Sequence, residues 1–390
     1  MTDNTWKFDE WIRNEFVQQN NELESLYWQQ CDKANVEGIG EEIKESLVRE
    51  GNIFISKLLQ EGNTDEGFDA DFDLLGNVGL FMAACRRHEI TEPSREKTSP
   101  LHEASALSMQ IGASIGVTPR FATAHLTTHN FAVNGQYKRF TDLKAEKLFV
   151  DYNTRGILAY KRAADALLKI KPLGLSHPIT ADLLKVAYQA LSDVYHSNQI
   201  LFSELEADAF FYQVRPYYKP YRVGLHVYRG ANAGDFAGIN VIDLLLGLCL
   251  ANESSYSQLL VDKFLYMMPE DQKILRDCMR MTSFMDEFLQ ARDAYVKEAW
   301  YQEHLALFLD VCEMHGKTAV QHHNQLVEKY IANPANNLND VHMDKLTASG
   351  PPLPVLLGAL EKLRDKRNAA ERKDILTRFS DIQQLRSSLN

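Results

Sequence analysis

Two adjacent histidines in the last third of the chain, His322 and His323, are candidates to bind a metal or a cofactor. The segment Gln321 to Ala335 reads QHHNQLVEKYIANPA. On a helix, His323 would lie on the apolar stripe, and His322 would be rotated away by about 100°. Ala319 and Gly316, one and two turns before His323, predict room for a flat ligand. Spacing alone leaves open a second interpretation, since buried histidines are more often hydrogen-bonded core residues than ligands.

Two other patterns suggest chemistry less strongly. His125 and His129 are four residues apart, so on a helix both would project from one face as two metal ligands do. No third ligand stands at a suitable spacing and no HExxH motif occurs, so a polar helix face is the favoured interpretation.

The segment 112–116, GASIG, matches the GxSxG of a nucleophile elbow, but an elbow needs a preceding strand. Here the preceding residues predict a helix, so this segment is interpreted as a helix end.

Charge and composition exclude several classes of protein. Lys plus Arg is 42 and Asp plus Glu is 53, which gives a net charge of −11 over 390 residues. This acidic balance argues against binding to nucleic acid or to anionic lipid. The longest apolar run, Val241 to Ala251, is too short to span a membrane and contains Asp243. The first residues do not form a signal peptide, and the five scattered cysteines frame neither a disulfide scaffold nor a zinc site, so a cytoplasmic location is expected.

The elements that must position these residues are predicted to be helices. Apolar residues recur every three or four positions in the stretches Leu74 to Cys85, Leu184 to Tyr195 and Leu259 to Met268. No stretch alternates with β-branched residues, so the predicted fold class is all-α. Asn134-Gly135, in an irregular polar stretch, predicts a boundary between a smaller N-terminal helical domain, residues 1–140, and a larger C-terminal one, residues 141–390.

Two further helix starts follow from capping patterns. Thr118-Pro119 has the form of an N-cap followed by proline at the first helical position. Ser203 to Glu206 has the form of a capping box, which predicts a helix from there toward Arg215-Pro216. The glycine-rich stretch 230–238 lacks the pattern of a phosphate loop, and a flexible loop close to a ligand remains open for it.

Three segments in register resemble one known family. The run from His323 to Ile331, followed by Pro334-Ala335, closely resembles the proximal-histidine helix of indoleamine 2,3-dioxygenase. Residues 209–215, AFFYQVR, resemble the segment of the same family that carries two phenylalanines and an arginine, and the segments 236–238 and 243–247 follow in the family's order. Residues 214–224, VRPYYKPYRVG, are closer to PrnB-like proteins, the monodechloroaminopyrrolnitrin synthases. The chain thus resembles the haem-dependent tryptophan/indoleamine 2,3-dioxygenase superfamily over residues 72–365, and its PrnB-like members most closely.

The resemblance implies a cofactor and a set of site residues. His323 would be the axial ligand of the iron of haem b, held in the larger domain. Arg215 would bind the carboxylate of an aromatic amino acid, although an arginine that caps a helix C-terminus would look the same. Phe210 and Phe211 would line the indole pocket, and two core phenylalanines would also look the same.

Two further regions are implied less directly. The family's substrate-closing loop corresponds to residues 347–352, with Ser349 and Gly350 as substrate-binding candidates, and the threonine expected between glycines is not clearly retained. The distal helix would lie near Asp151 to Ala166, where Tyr152, Arg155 and Gly156 are the candidates to approach the iron.

The function that the resemblance implies is that of a cytoplasmic haem enzyme. It would use O₂ to oxidise or rearrange tryptophan or a related indole or aromatic amino acid in secondary metabolism. Insertion of one oxygen atom, insertion of two and ring rearrangement all remain open, as does a homo-oligomer. The alternatives are a haem-binding or small-ligand sensor without turnover, a haem-free helical protein with a structural histidine, and, last, a non-haem metal enzyme built on His125 and His129.

Overall fold

The protein is an all-α structure, as its apolar periodicity predicts. The computed structural model describes residues 2–62, 66–231, 235–325 and 353–389. In chain order the helices are α1 (Asp3–Arg13), α2 (Glu15–Trp28), α3 (Glu41–Glu61), α4 (Phe68–Arg87), α5 (His102–Ile115), α6 (Lys144–Leu173), α7 (Ile179–Glu204), α8 (Ala207–Ala209), α9 (Gly238–Leu246), α10 (Ser254–Phe264), α11 (Pro269–Cys278), α12 (Phe284–Tyr295), α13 (Ala299–Gln321), α14 (Leu353–Arg367) and α15 (Phe379–Arg386). The described residues add only one small antiparallel hairpin, in which β1 (Tyr221–Val223) pairs with β2 (His226–Tyr228).

The described residues fall into two compact units. The first holds those within Met1–Asp151, Leu205–Asp235 and Tyr330–Leu353, and the second holds those within Tyr152–Glu204, Phe236–Lys329 and Pro354–Asn390. The division predicted near residue 140 stays a prediction. None of the helices in the described part of the chain is both long enough and apolar enough to span a membrane.

Aromatic rings form the core of the first unit. Trp11 contacts Phe8 and Phe16, with ring centroids 6.0 and 5.5 Å apart, and Phe140 contacts Phe16 and Phe121 at 6.3 and 5.6 Å. Such rings bury large apolar areas and prefer these offset and edge-on arrangements. They hold α1 and α2 together with the irregular chain between α5 and α6.

The core of the second unit is built around three long helices. Two contacts show that α13 runs beside α7 in the same direction. Near its start, His304 Nδ1 donates to the carbonyl of Leu175, just before α7, at 2.6 Å, and at its end Gln321 Nε2 donates to the carbonyl of Tyr195 in α7 at 2.9 Å. The short connection 174–178 makes α6 and α7 antiparallel neighbours. Helices α6 and α13 therefore run in opposite directions.

Both predicted helix starts are wrong. The chain after Pro119 forms a turn and then a single 3₁₀ turn, Thr123–Leu126, because the backbone at Phe121 packs closely on Gly79 of α4 and donates to the Tyr221 hydroxyl at 2.6 Å. Ser203 lies in the last turn of α7, where its hydroxyl donates to the Ile200 carbonyl at 2.8 Å. The next helix begins at Ala207.

The segment 112–116 ends a helix, as its sequence predicts. Gly116 follows the last residue of α5 and adopts a φ of +70°, a conformation that residues with a Cβ rarely take. Its N–H donates to the Gly112 carbonyl and closes the helix. A nucleophile elbow would need a strand before the serine, and here there is a helix.

Candidate functional site

His323 lies in a special turn at the end of α13. The α-helix ends at Gln321 and the chain continues as a π-helical turn over residues 322–325. In this turn His323 is 9% exposed and His322 is exposed. Single π-helical turns occur frequently at functional sites. The buried histidine is therefore His323, the one that both the apolar spacing and the family resemblance indicate.

Gly156 of α6 lies near the end of α13 and has no described side chain packed against it. The Tyr160 hydroxyl donates to Thr318 Oγ1 at 3.2 Å, which places Tyr160 of α6 beside Thr318 of α13. Because the two helices are antiparallel, Gly156, four residues before Tyr160, lies at about the level of residues 322 and 323. Gly156 is buried, yet a Cβ atom placed on it would have no described neighbour within 4 Å. A buried imidazole, and at the same level a glycine whose Cβ would meet no described atom, fit a flat, iron-bearing ring such as haem.

The other two distal candidates contact each other. Arg155 is exposed and Tyr152 is half-buried, and the guanidinium carbon of Arg155 lies 5.0 Å from the centroid of the Tyr152 ring. Of the three candidates, only Gly156 is buried.

The space predicted beside Gly316 is not there. A Cβ atom on Gly316 would lie 2.7 Å from Asn368 Oδ1 and 3.2 Å from the Arg367 carbonyl oxygen. The end of α14 occupies this side of α13, so the prediction that Gly316 admits a flat ligand is wrong. Glycine at this position allows two segments of chain to pack closely.

A fully buried carboxylate joins four helices of the second unit, which sequence reasoning did not predict. Asp243 of α9 is 0% exposed and accepts hydrogen bonds from His315 Nε2 at 2.7 Å, from Arg367 Nη2 at 2.7 Å and from the Tyr256 hydroxyl at 2.7 Å. Burial alone would raise the pKa of Asp243, but Arg367 and His315 hold it well below its ordinary value. The signal in the sequence was an aspartate inside the longest apolar run, which implies a buried partner.

Predicted substrate-binding residues come together in the first unit. Residues Phe210–Val214 form a π-helical turn and Arg215–Tyr218 a 3₁₀ turn, so the predicted continuous helix is broken at this point. The guanidinium carbon of Arg215 lies 5.4 Å from the centroid of the Phe211 ring. Phe210 packs on Phe149, with ring centroids 4.9 Å apart.

Arg215 is a buried cation, and its guanidinium is of the kind that binds carboxylates. The residue is 6% exposed, and burial lowers the pKa of its guanidinium to about 10. Removing a cation from water is costly, and a bound carboxylate offsets that cost through charge-assisted hydrogen bonds. An aromatic ring beside this guanidinium suits a ligand that has both a carboxylate and an aromatic group.

The pair His125 and His129 does not form a helix face. His125 lies in the 3₁₀ turn, where its Nε2 donates to the Phe72 carbonyl at 2.9 Å and its Nδ1 accepts from the Ala122 N–H at 2.9 Å. Both ring nitrogens are thus committed to backbone groups. In the described ranges no three His, Cys, Asp or Glu side chains cluster as a metal site would require.

A surface cleft in the first unit is distinct from these residues. It has a volume of about 470 Å³ and is lined by Asn21, Ser25, Trp28, Gln29, Asp142, Leu143 and Gln213. It includes none of the predicted site residues. Such a cleft is not the aromatic pocket that the resemblance implies.

Two of the predicted residues lie outside the described part of the chain. These are Ser349 and Gly350, in the segment that corresponds to the family's substrate-closing loop. Their predicted role in substrate binding stays a prediction.

Comparison with known proteins gives the family of the chain. No curated protein is similar enough to count as a match. The model of the family described as "Monodechloroaminopyrrolnitrin synthase PrnB" matches residues 2–389, which confirms the predicted resemblance to PrnB-like proteins. With nearly the whole chain covered, the protein belongs to the PrnB family, which is a family of enzymes.

Proposed function

We propose that this protein is a cytoplasmic, haem-dependent enzyme that uses O₂ to oxidise or rearrange tryptophan or a related indole or aromatic amino acid in secondary metabolism. The PrnB family is one of haem-dependent enzymes that act on a tryptophan-derived substrate, and membership supports the proposal. The observation that carries it is the buried imidazole of His323 at about the level of Gly156, where a Cβ atom would meet no described atom within 4 Å. In this proposal the partners are an aromatic amino acid and O₂.

His323 and Gly156 would hold the haem b. A neutral imidazole is a good ligand for ferrous iron, and burial of His323 keeps water from competing for it. Gly156 leaves space because it has no side chain. When bound, the haem supplies the oxidation chemistry, and the protein supplies binding, orientation and a dry surrounding.

Arg215 and Phe211 would bind the amino acid. The guanidinium of Arg215 would take the carboxylate in a charge-assisted and bidentate contact. The Phe211 ring, which lies beside that guanidinium, would pack on the aromatic part of the same molecule, and Phe210 would extend this apolar surface. Ser349 and Gly350 are proposed to contribute further substrate contacts.

The visible spectrum tests the proposal most directly. Protein produced with a haem precursor should show a Soret band that shifts on reduction with dithionite, at close to one haem per chain. A flat visible spectrum after haem titration would contradict the proposal and favour a haem-free helical protein. A Soret band without O₂ consumption in the presence of tryptophan and its indole analogues would favour a haem-binding sensor instead.

A further inference from the structure

The buried carboxylate of Asp243 binds α13, the helix that ends two residues before His323. We call Asp243, His315, Tyr256 and Arg367 the Asp243 clasp. His315 belongs to α13, Arg367 is the last residue of α14, and Tyr256 belongs to α10. The clasp therefore connects α13, which leads into the turn with His323, to α14, which follows it in the chain.

The clasp has a single well-defined geometry. Arg367 donates from Nε to Asp243 Oδ1 at 2.9 Å and from Nη2 to Oδ2 at 2.7 Å, which is a two-pronged contact. His315 adds a bond to Oδ1 and Tyr256 adds one to Oδ2, while Asn240 donates to the Tyr256 hydroxyl at 3.0 Å. A planar guanidinium that engages both oxygens fixes orientation as well as distance.

Three further contacts hold α13 between His315 and His323. Gly316 packs on the backbone at Arg367, Thr318 accepts from Tyr160, and Gln321 donates to the carbonyl of Tyr195. The last two turns before His323 are thus held at residues 315, 316, 318 and 321. The clasp is the most buried and most highly connected of these contacts.

We infer that Arg367, acting through Asp243 and His315, is a positioning residue for His323. This inference rests on the proposed function, in which His323 binds iron. Arg367 would not touch the haem iron itself. It would fix the position of the His323 imidazole. Mutation of a residue that orients a metal ligand typically lowers metal affinity about ten- to a hundredfold.

Arg378 provides a matched control for a purely structural role. It too is a buried arginine of the C-terminal segment, and it donates to Asp286 Oδ1 at 2.6 Å and to the Gly247 carbonyl at 3.3 Å. None of these partners belongs to α13. Arg367→Lys and Arg378→Lys both keep the positive charge and lose the several donors of a guanidinium, so they differ mainly in which helices they release.

The test compares the haem of wild type, Arg367→Lys and Arg378→Lys. The readouts are the iron–histidine stretching frequency of the ferrous proteins by resonance Raman and the rate of haem transfer to apomyoglobin. Arg367→Lys should shift the frequency and speed haem loss about tenfold or more, and Arg378→Lys should leave both near the wild-type values. Equal effects of the two variants, or no effect of Arg367→Lys, would overturn the inference. Should Arg367→Lys fail to fold, His315→Gln takes its place, with the same expected results.

A haem-free measurement separates this inference from the proposed function. Wild-type protein that binds no haem contradicts the proposed function alone. The positioning of α13 is then read from amide hydrogen exchange, which should be faster at residues 315–321 in Arg367→Lys than in Arg378→Lys. Equal exchange in the two variants would overturn the positioning role.

Discussion

His323 is buried whereas His322, the residue before it, is exposed, although both have a side chain that can bind iron. Consecutive residues on a helix point about 100° apart, so only one of them can face the interior of the second unit. This relationship assigns the proposed ligand to one histidine rather than to the pair.

Replacing the two histidines separately tests the assignment. His323→Ala should abolish stoichiometric haem binding because it removes the only proposed bond to iron, and His322→Ala should keep it. Haem per chain is measured by the pyridine haemochrome assay on purified protein. The reverse pattern would move the ligand by one residue, and addition of imidazole should restore the Soret band of His323→Ala only.

Binding of the substrate's carboxylate should depend on Arg215. Arg215→Leu should weaken binding of an amino acid by roughly ten- to a hundredfold, since a hydrogen bond to a charged group contributes about 1.5–3 kcal/mol. Binding of tryptamine, which lacks the carboxylate, should change little. Calorimetric titration of both ligands measures this difference.

Arg222 is the control for this experiment. It lies in the same stretch of chain, but its guanidinium donates to the carbonyls of Leu225 and Pro93. Arg222→Leu should leave the affinity for the amino acid unchanged. If Arg215→Leu binds the amino acid as tightly as Arg222→Leu does, Arg215 is not the carboxylate-binding residue.

Local patterns in the sequence predict the helices well because a helix is stabilised by contacts three and four residues apart. The apolar stripe over Leu74 to Cys85 lies within α4, and that over Leu184 to Tyr195 lies within α7. The orientation of His323 follows from the same periodicity. The capping patterns at Thr118 and Ser203 failed because tertiary packing of Phe121 on Gly79, and the continuation of α7, override a local preference.

Contacts between distant residues could not be predicted in this way. Asp243 meets His315 and Arg367, which are 72 and 124 residues away in the chain. The spacing of His125 and His129 predicted one helix face because it assumed a helix, and the chain instead forms a 3₁₀ turn whose backbone binds His125. Family resemblance added Arg215 and Phe211, for which spacing alone left two interpretations open.

Filling the space beside Gly156 should separate haem binding from folding. Gly156→Leu should leave the haem-free protein as stable as wild type or more so, because glycine inside a helix costs roughly 0.5–1 kcal/mol and the new side chain meets no described atom within 4 Å at its Cβ. The same side chain should lower the haem content, because it occupies the proposed haem space. Thermal unfolding of the haem-free protein and haem per chain measure the two effects.

Gly316→Ala should behave in the opposite way. Its Cβ would lie 2.7 Å from Asn368 Oδ1, so the end of α14 must move and the haem-free protein should lose stability, by about 1–3 kcal/mol. Full haem content in Gly156→Leu would show that the haem does not use the space at that residue.

Glu146 should make the free energy of unfolding depend on pH near neutrality. Its carboxylate accepts from the Phe140 and Thr141 N–H groups at 2.8 and 2.7 Å and from the Thr141 hydroxyl at 2.6 Å. Burial raises its pKa from 4.5 to about 7, although the Thr141 hydroxyl and the two N–H groups act to lower it. A group whose pKa is higher in the folded state stabilises the fold most at pH values below its unfolded pKa. Its contribution, about 3 kcal/mol at most, is lost as the pH rises from about 4.5 through 7.

Glu146→Gln should flatten this part of the stability profile. The glutamine is neutral at every pH, so the variant should lack the loss of stability that Glu146 causes between pH 5 and 8. Its amide can replace only one of the two accepting oxygens, and the variant should therefore be the less stable protein at pH 5, with the difference shrinking toward pH 8. Urea unfolding at pH 5, 6, 7 and 8 measures both profiles. Parallel profiles for the two proteins would mean that Glu146 does not titrate in this range in the folded state.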